Sequence, residues 1–217
     1  MNNEYRDIAA RLAEIAIIPV IKLDNPEHAS PLAEALEKAG LPAAEVTFRT
    51  DAAARSIEII SEKFPGVLTG AGTVLTIDQV KSAVDSGARF IVSPGFNPRI
   101  VDYCVDRGIP VYPGVNNPSG IEAALERGLD VLKFFPAEAS GGIKMINAMS
   151  APYGKVKFMA TGGINASNLI SYLESPYVAA CGGSWMVKGD LINSGKFDEI
   201  EKLSVEAVGL VKTWRSK

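Results

Sequence analysis

One alternation narrows the fold of this chain more than any other feature. Short β-branched or apolar runs stand at Ile18-Pro-Val-Ile21, Ala44-Glu-Val-Thr-Phe48, Gly66-Val-Leu-Thr69, Arg89-Phe-Ile-Val92, Ile109-Pro-Val-Tyr112, Val131-Leu-Lys-Phe-Phe135, Val156-Lys-Phe-Met159 and Tyr177-Val-Ala-Ala180. Between these eight candidate strands lie Ala/Leu/Ile/Glu-rich stretches long enough for one helix each, as parallel strand pairing requires. Eight strand-helix repeats close more naturally into a barrel than they spread into an open sheet. The expected fold is α/β: a single-domain (β/α)8 TIM barrel over residues 1–217 with an extra N-terminal helix.

Local signals agree. Asn25-Pro26-Glu27, Asn97-Pro98, Asn117-Pro118-Ser119 and Asn165-Ala166-Ser167 place capping residues or helix-start prolines after strand runs. Gly40, Gly87, Gly108 and Gly128 fit left-handed caps that stop helices. Residues 3–16 read as the extra helix ahead of the first strand. Residues 197–213 read as a terminal helix with Leu203, Ala207 and Leu210 on one face.

Composition removes several functions. A formal net charge of −3 supplies no basic field for nucleic acid or an anionic membrane, so an anionic ligand must be held by local groups. The polar first residues and the Ile8–Ile18 stretch, broken by Arg11 and Glu14, do not read as a secretory signal, and no run could span a bilayer, so the expected location is cytoplasmic. Cys104 and Cys181 lack metal-ligand spacing and read as two reduced thiols. His28 is the only histidine, which leaves no histidine-based metal site and no Ser-His-Asp triad.

In a barrel of this type, chemistry gathers where strands end. Alternation along Glu45-Val-Thr47-Phe-Arg49 points a carboxylate, a hydroxyl and a guanidinium to one face. These residues are either a buried ion pair or a general acid-base group beside a carboxylate-binding fork. Lys133 lies inside an apolar strand run. There, desolvation by Phe135 and repulsion from Arg49 favour the neutral, nucleophilic amine, while an ionised Glu45 opposes it. Lys22 and Lys157 are rivals. Lys157 stands at a strand start, on the stability face, and Lys22 lies near an active-site end, where it can add secondary charge.

Two late glycine loops, Thr161-Gly162-Gly163-Ile164 and Gly182-Gly183-Ser184-Trp185, follow the last two strands. Backbone N–H groups there can approach an oxyanion, so the pair points to phosphate. Gly70-Ala-Gly72-Thr73 lacks dinucleotide or P-loop spacing and suggests close substrate approach. At Ser93-Pro94-Gly95-Phe96 and Tyr112-Pro-Gly114, tight turns and substrate contacts are equally good readings.

At these positions the sequence resembles the 2-keto-3-deoxy-6-phosphogluconate and 4-hydroxy-2-oxoglutarate aldolase family, the class I bifunctional enzymes of the Entner-Doudoroff pathway. Gly40-Leu-Pro-Ala-Ala-Glu45-Val-Thr-Phe-Arg49 is similar to the family's glutamate signature. Gly128-Leu-Asp-Val-Leu-Lys133-Phe-Phe-Pro-Ala-Glu-Ala-Ser-Gly141 is similar to its Schiff-base lysine signature. The resemblance implies that Lys133 carries the imine and Glu45 moves protons. It implies that Arg49 and Thr73 hold the pyruvyl carboxylate end, and that Phe135 and Pro94 line the pocket. Thr161 influences substrate choice, and Gly162, Gly163, Gly183 and Ser184 lie around the phosphate. It further implies a keto-acid sugar phosphate as substrate, no cofactor, no metal and a homotrimer. Ala160, where the family often has proline, and Asn116-Asn117 depart from the pattern at the pocket rim. An isomerase using Glu45 without a covalent intermediate, and a non-catalytic sugar-phosphate binder, are the rival readings.

Overall fold

The computed structural model describes residues 3–216. Nine strands run in chain order: β1 Ile17–Ile21, β2 Ala43–Thr47, β3 Leu68–Gly72, β4 Ile91–Val92, β5 Val111–Tyr112, β6 Gly114–Val115, β7 Val131–Phe134, β8 Lys157–Thr161 and β9 Val178–Gly183. Among the described residues ten α-helices accompany them: α1 Asn3–Ile15, α2 Ala29–Lys38, α3 Ala53–Lys63, α4 Ile77–Asp85, α5 Pro98–Asp106, α6 Pro118–Leu125, α7 Gly142–Ser150, α8 Leu169–Leu173, α9 Gly189–Asn193 and α10 Phe197–Arg215. Hydrogen-bonded neighbours follow the order β5-β4-β3-β2-β1-β9-β8-β7-β6, and the pairings are parallel.

The two ends of that order, β5 and β6, are one piece of chain interrupted by Pro113. The fifth expected strand is therefore present but split, leaving eight positions around the barrel. Proline has no N–H to donate to a ladder. Its carbonyl still serves, accepting from the Lys133 N–H at 3.0 Å. Beside it, Gly114 allows the Pro94 carbonyl to come in close, since a Cβ there would lie 2.2 Å from that oxygen. At the Tyr112-Pro-Gly114 stretch the structure has a strand interruption rather than a tight turn, with backbone packed against the glycine.

The amino end of the barrel is covered by α1. Its buried Tyr5 hydroxyl donates to the Val131 carbonyl at 3.1 Å and accepts from the Val131 N–H at 2.9 Å, while Tyr112 donates to the Tyr5 carbonyl at 3.1 Å. The two rings stand 5.2 Å apart. Burial pushes both phenols well above the ordinary tyrosine range, so they act as neutral hydrogen-bond donors.

The capping expectations hold in most places. Asn25, Asn97 and Asn117 accept from Glu27, Arg99 and Gly120 N–H groups, and Gly40, Gly87, Gly108 and Gly128 all have left-handed φ. Asn165 differs: it caps a turn, and α8 begins only at Leu169. The buried face of α10 is also shifted. Ile200, Ser204, Ala207 and Val211 face inward, whereas Leu203 and Leu210 are half-buried. The expected stripe and the observed one share only Ala207. The helix packs against both α2 and α9, so it buries a stripe offset from the most apolar one. No described helix is long and apolar enough to cross a membrane.

Candidate active site

Strand alternation builds the site from below. Glu45 and Thr47 point inward from β2, and Lys133 points inward from β7. Counted around the eight positions, β2 and β7 are four steps apart in either direction, so they face each other across the barrel. Lys133 Nζ reaches Glu45 Oε1 at 3.2 Å, with only 6% and 3% of the two side chains exposed. Nζ also lies 5.3 Å from the centre of the Phe135 ring.

Room for this pair is made by glycine. A Cβ on Gly72 of β3 would stand 2.2 Å from Glu45 Oε1, and one on Gly70 would enter the Phe90 ring at 2.3 Å. These glycines were expected to admit substrate; they admit protein side chains instead. Thr73, next in sequence, has φ 55°, a conformation that a β-branched residue adopts only under constraint.

At the neighbouring strand ends lies a cavity of about 400 Å³, whose lining includes neither Lys133 nor Glu45. Its lining includes Thr47, Arg49, Phe135, Thr161, Gly162, Gly163, Gly183 and Ser184, gathered from four strand ends. Thr73 and Pro94 do not line it. Arg49 reaches the lining by a different route from the one expected. The strand stops at Thr47, and Arg49 stands exposed in the following turn rather than continuing the inward alternation.

Charge around the cavity is one-sided. Lys22, Arg49 and Lys188 belong to its lining, and no acidic residue does. Lys22 contacts Asp24 at 2.6 Å, and this contact with the help of Asn193 holds the Asp24 carboxyl below its usual range. Lys157 lies exposed at the start of β8 and donates to the Pro176 carbonyl, away from this cavity. Sequence reasoning missed Lys188. A lone lysine between the Gly182–Trp185 loop and Gly189 was the available signal.

Both cysteines are free and buried; burial pushes the Cys104 thiol up to about 12 and Cys181 higher still. Among the described residues, no group of three or more His, Cys, Asp or Glu residues is arranged to hold a metal ion.

A (β/α)8 barrel with a lysine–carboxylate pair beside a cationic, glycine-rimmed mouth is the architecture of an enzyme that handles small anionic substrates. The chain belongs to the KDPG and KHG aldolase family, whose model matches residues 8–203. It is 50% identical over 212 residues to a 2-dehydro-3-deoxy-phosphogluconate aldolase of Haemophilus influenzae, covering 98% of this chain and all of the relative. It is 40% identical to the KHG/KDPG aldolase of Escherichia coli, covering 88% and 90% of the two chains. Among solved structures, a KDPG aldolase from Legionella pneumophila, with pyruvate captured as a covalent carbinolamine, superposes with a TM-score of 0.87 at 40% identity, over 94% of this chain and 97% of that one. The KDPG aldolase of Zymomonas mobilis, solved with 3-phosphoglycerate, gives 0.87 at 37% identity, over 95% and 97%. The protein is thus an aldolase, a carbon–carbon lyase.

Proposed function

We propose that this chain cleaves 2-keto-3-deoxy-6-phosphogluconate to pyruvate and glyceraldehyde 3-phosphate, and 4-hydroxy-2-oxoglutarate to pyruvate and glyoxylate, through a Schiff base on Lys133. The observation that carries this reading is the buried 3.2 Å contact between Lys133 Nζ and Glu45 Oε1, set beside a mouth lined with cations and glycines. The pyruvate carbinolamine of the Legionella relative and the 3-phosphoglycerate of the Zymomonas relative support it by analogy.

A proton passing from the Lys133 ammonium to Glu45 leaves a neutral amine and a neutral acid. The amine attacks the C2 ketone to form a carbinolamine, and Glu45 returns the proton to the departing hydroxyl as water leaves. The resulting iminium draws the electrons of the C3–C4 bond. Glu45, now a carboxylate, takes the C4 hydroxyl proton directly or through one water, releasing the aldehyde and leaving an enamine. Protonation at C3 and hydrolysis release pyruvate and restore the amine. In this reading Arg49 and Thr73 hold the keto-acid carboxylate, Phe135 and Pro94 shape the pocket and Thr161 tunes substrate choice. Gly162, Gly163, Gly183 and Ser184 receive the phosphate. The homotrimer carried by the family resemblance belongs to the same proposal, and light scattering in solution checks it.

The test is incubation with pyruvate and borohydride in the presence of a chelator, followed by peptide mass spectrometry. The expected result is a reduced pyruvate adduct on Lys133 and none in Lys133→Ala. A folded protein that forms no adduct overturns the mechanism.

A further inference from the structure

The loop after β8 is held from behind by the loop after β7. The Thr161 carbonyl accepts from the Ala137 N–H at 2.8 Å, and the Gly162 carbonyl accepts from the Glu138 N–H at 3.0 Å. The Gly163 carbonyl accepts from the Asn165 and Asn168 side-chain amides at 3.2 and 3.0 Å. Three successive carbonyls are therefore engaged. Among the described residues, the N–H groups of Gly162 and Gly163 donate to no protein acceptor. Both glycines line the cavity, so the loop has donors to offer a ligand.

What keeps the two loops in register is a side-chain contact. Glu138 lies with its stem against Gly163, where a Cβ would stand 2.6 Å from Cγ and 2.7 Å from Cβ. Its Oε1 accepts a hydrogen bond from the hydroxyl of Tyr172, a residue of α8 that is only 1% exposed. The same two side chains crowd Gly142, where a Cβ would lie 3.1 Å from the Tyr172 hydroxyl and 3.2 Å from Glu138 Oε1. Gly142 and Gly163 have φ of 62° and 85°, so both sites exclude side chains by conformation as well as by space. The β7 loop, the first turn of α7 and α8 thus meet at one carboxylate–phenol contact behind the glycine loop.

We propose that Glu138 and Tyr172 are positioning residues that hold Gly162 and Gly163 in the conformation that receives the substrate's phosphate. Neither is catalytic: they act through the loop, and they lie outside the residues lining the cavity. The inference rests on the function proposed above, because it takes the phosphate to bind at that loop.

The test compares Tyr172→Phe, Glu138→Ala and Glu138→Gln with the wild-type protein in two assays. One measures KM for the phosphorylated keto-acid. The other measures the pyruvate concentration that half-saturates borohydride trapping, which needs no phosphate contact. Tyr172→Phe and Glu138→Ala are expected to raise KM about tenfold while the pyruvate value stays within about twofold. Glu138→Gln keeps an acceptor for Tyr172 and is expected to stay near wild type. Equal losses in both assays would assign the pair a general structural role, and an unchanged KM in Tyr172→Phe would remove the role altogether; either result overturns the inference. A wild-type protein that traps no pyruvate would instead defeat the function on which it rests.

Discussion

Lys133 and Glu45 meet from opposite walls of the barrel, four strand positions apart in both directions, with Nζ and Oε1 separated by 3.2 Å. The contact spans the barrel interior. Two charged groups taken out of water in this way tolerate each other only as a pair, so removing one partner strands the other. Glu45→Ala is expected to lose roughly 3–5 kcal/mol in urea unfolding, and Glu45→Leu with Lys133→Met is expected to recover most of it. A single variant as stable as the wild type would show that the pair is not the electrostatic unit described here. Both variants are expected to lose turnover.

Gly72→Ala is expected to lower kcat about a hundredfold without unfolding the protein, because the new methyl would occupy the space of the Glu45 carboxylate. Gly95→Ala, where nothing lies within 4 Å of the added carbon, is the control and is expected to keep wild-type rates. Steady-state kinetics on both, with melting temperatures, separate displacement of Glu45 from loss of fold.

The acid-free lining of Lys22, Arg49 and Lys188 makes substrate capture sensitive to salt. KM for a phosphorylated substrate is expected to rise several-fold between low and high ionic strength. Lys188→Met is expected to raise KM at low salt by about threefold and to flatten its salt dependence, since an exposed cation acts mainly at long range. Salt-independent kinetics in the wild type would show that the three cations do not act together.

The buried thiols give a pH prediction. Burial pushes the Cys104 thiol up to about 12 from its ordinary value of 9.0. The folded state therefore holds its proton more tightly, so this contribution to stability is complete below pH 9 and is lost as pH climbs towards 12. Tyr5, Tyr112 and Tyr172 shift in the same direction. Stability should fall through this alkaline window, and a thiol reagent at pH 8 should label neither cysteine until the protein unfolds. Rapid labelling of the native protein would contradict the burial of both sites.

The barrel was legible because its signal is repeated eight times and most strand ends, that of β2 excepted, are marked by a glycine, proline or capping asparagine. Lys133 was legible for a related reason: a charged side chain inside an apolar strand has few structural explanations. What alternation could not supply was the place where a strand stops. Arg49 sits past the end of β2, because pairing with β3 finishes at Thr47 and Gly72. Glycines at 70 and 72 read as openings for a ligand, since the side chains that occupy the space, Phe90 and Glu45, come from other strands. Glu138 and Tyr172 acquire their roles only from tertiary neighbours, and no local pattern marks them; Lys188 had only its place after the Gly182–Trp185 loop as a signal.

The split strand at Pro113 gives the sheet an unusual kind of seam. An open sheet of this order would expose β5 and β6 as two edges available for pairing with another chain. Here both edges belong to one continuous segment, so they cannot drift apart by more than a residue's span. The seam also lies beside the lysine, because the Pro113 carbonyl holds the Lys133 N–H. The fastening that closes the ring is therefore also the backbone support of its most reactive side chain, and loosening one would loosen the other.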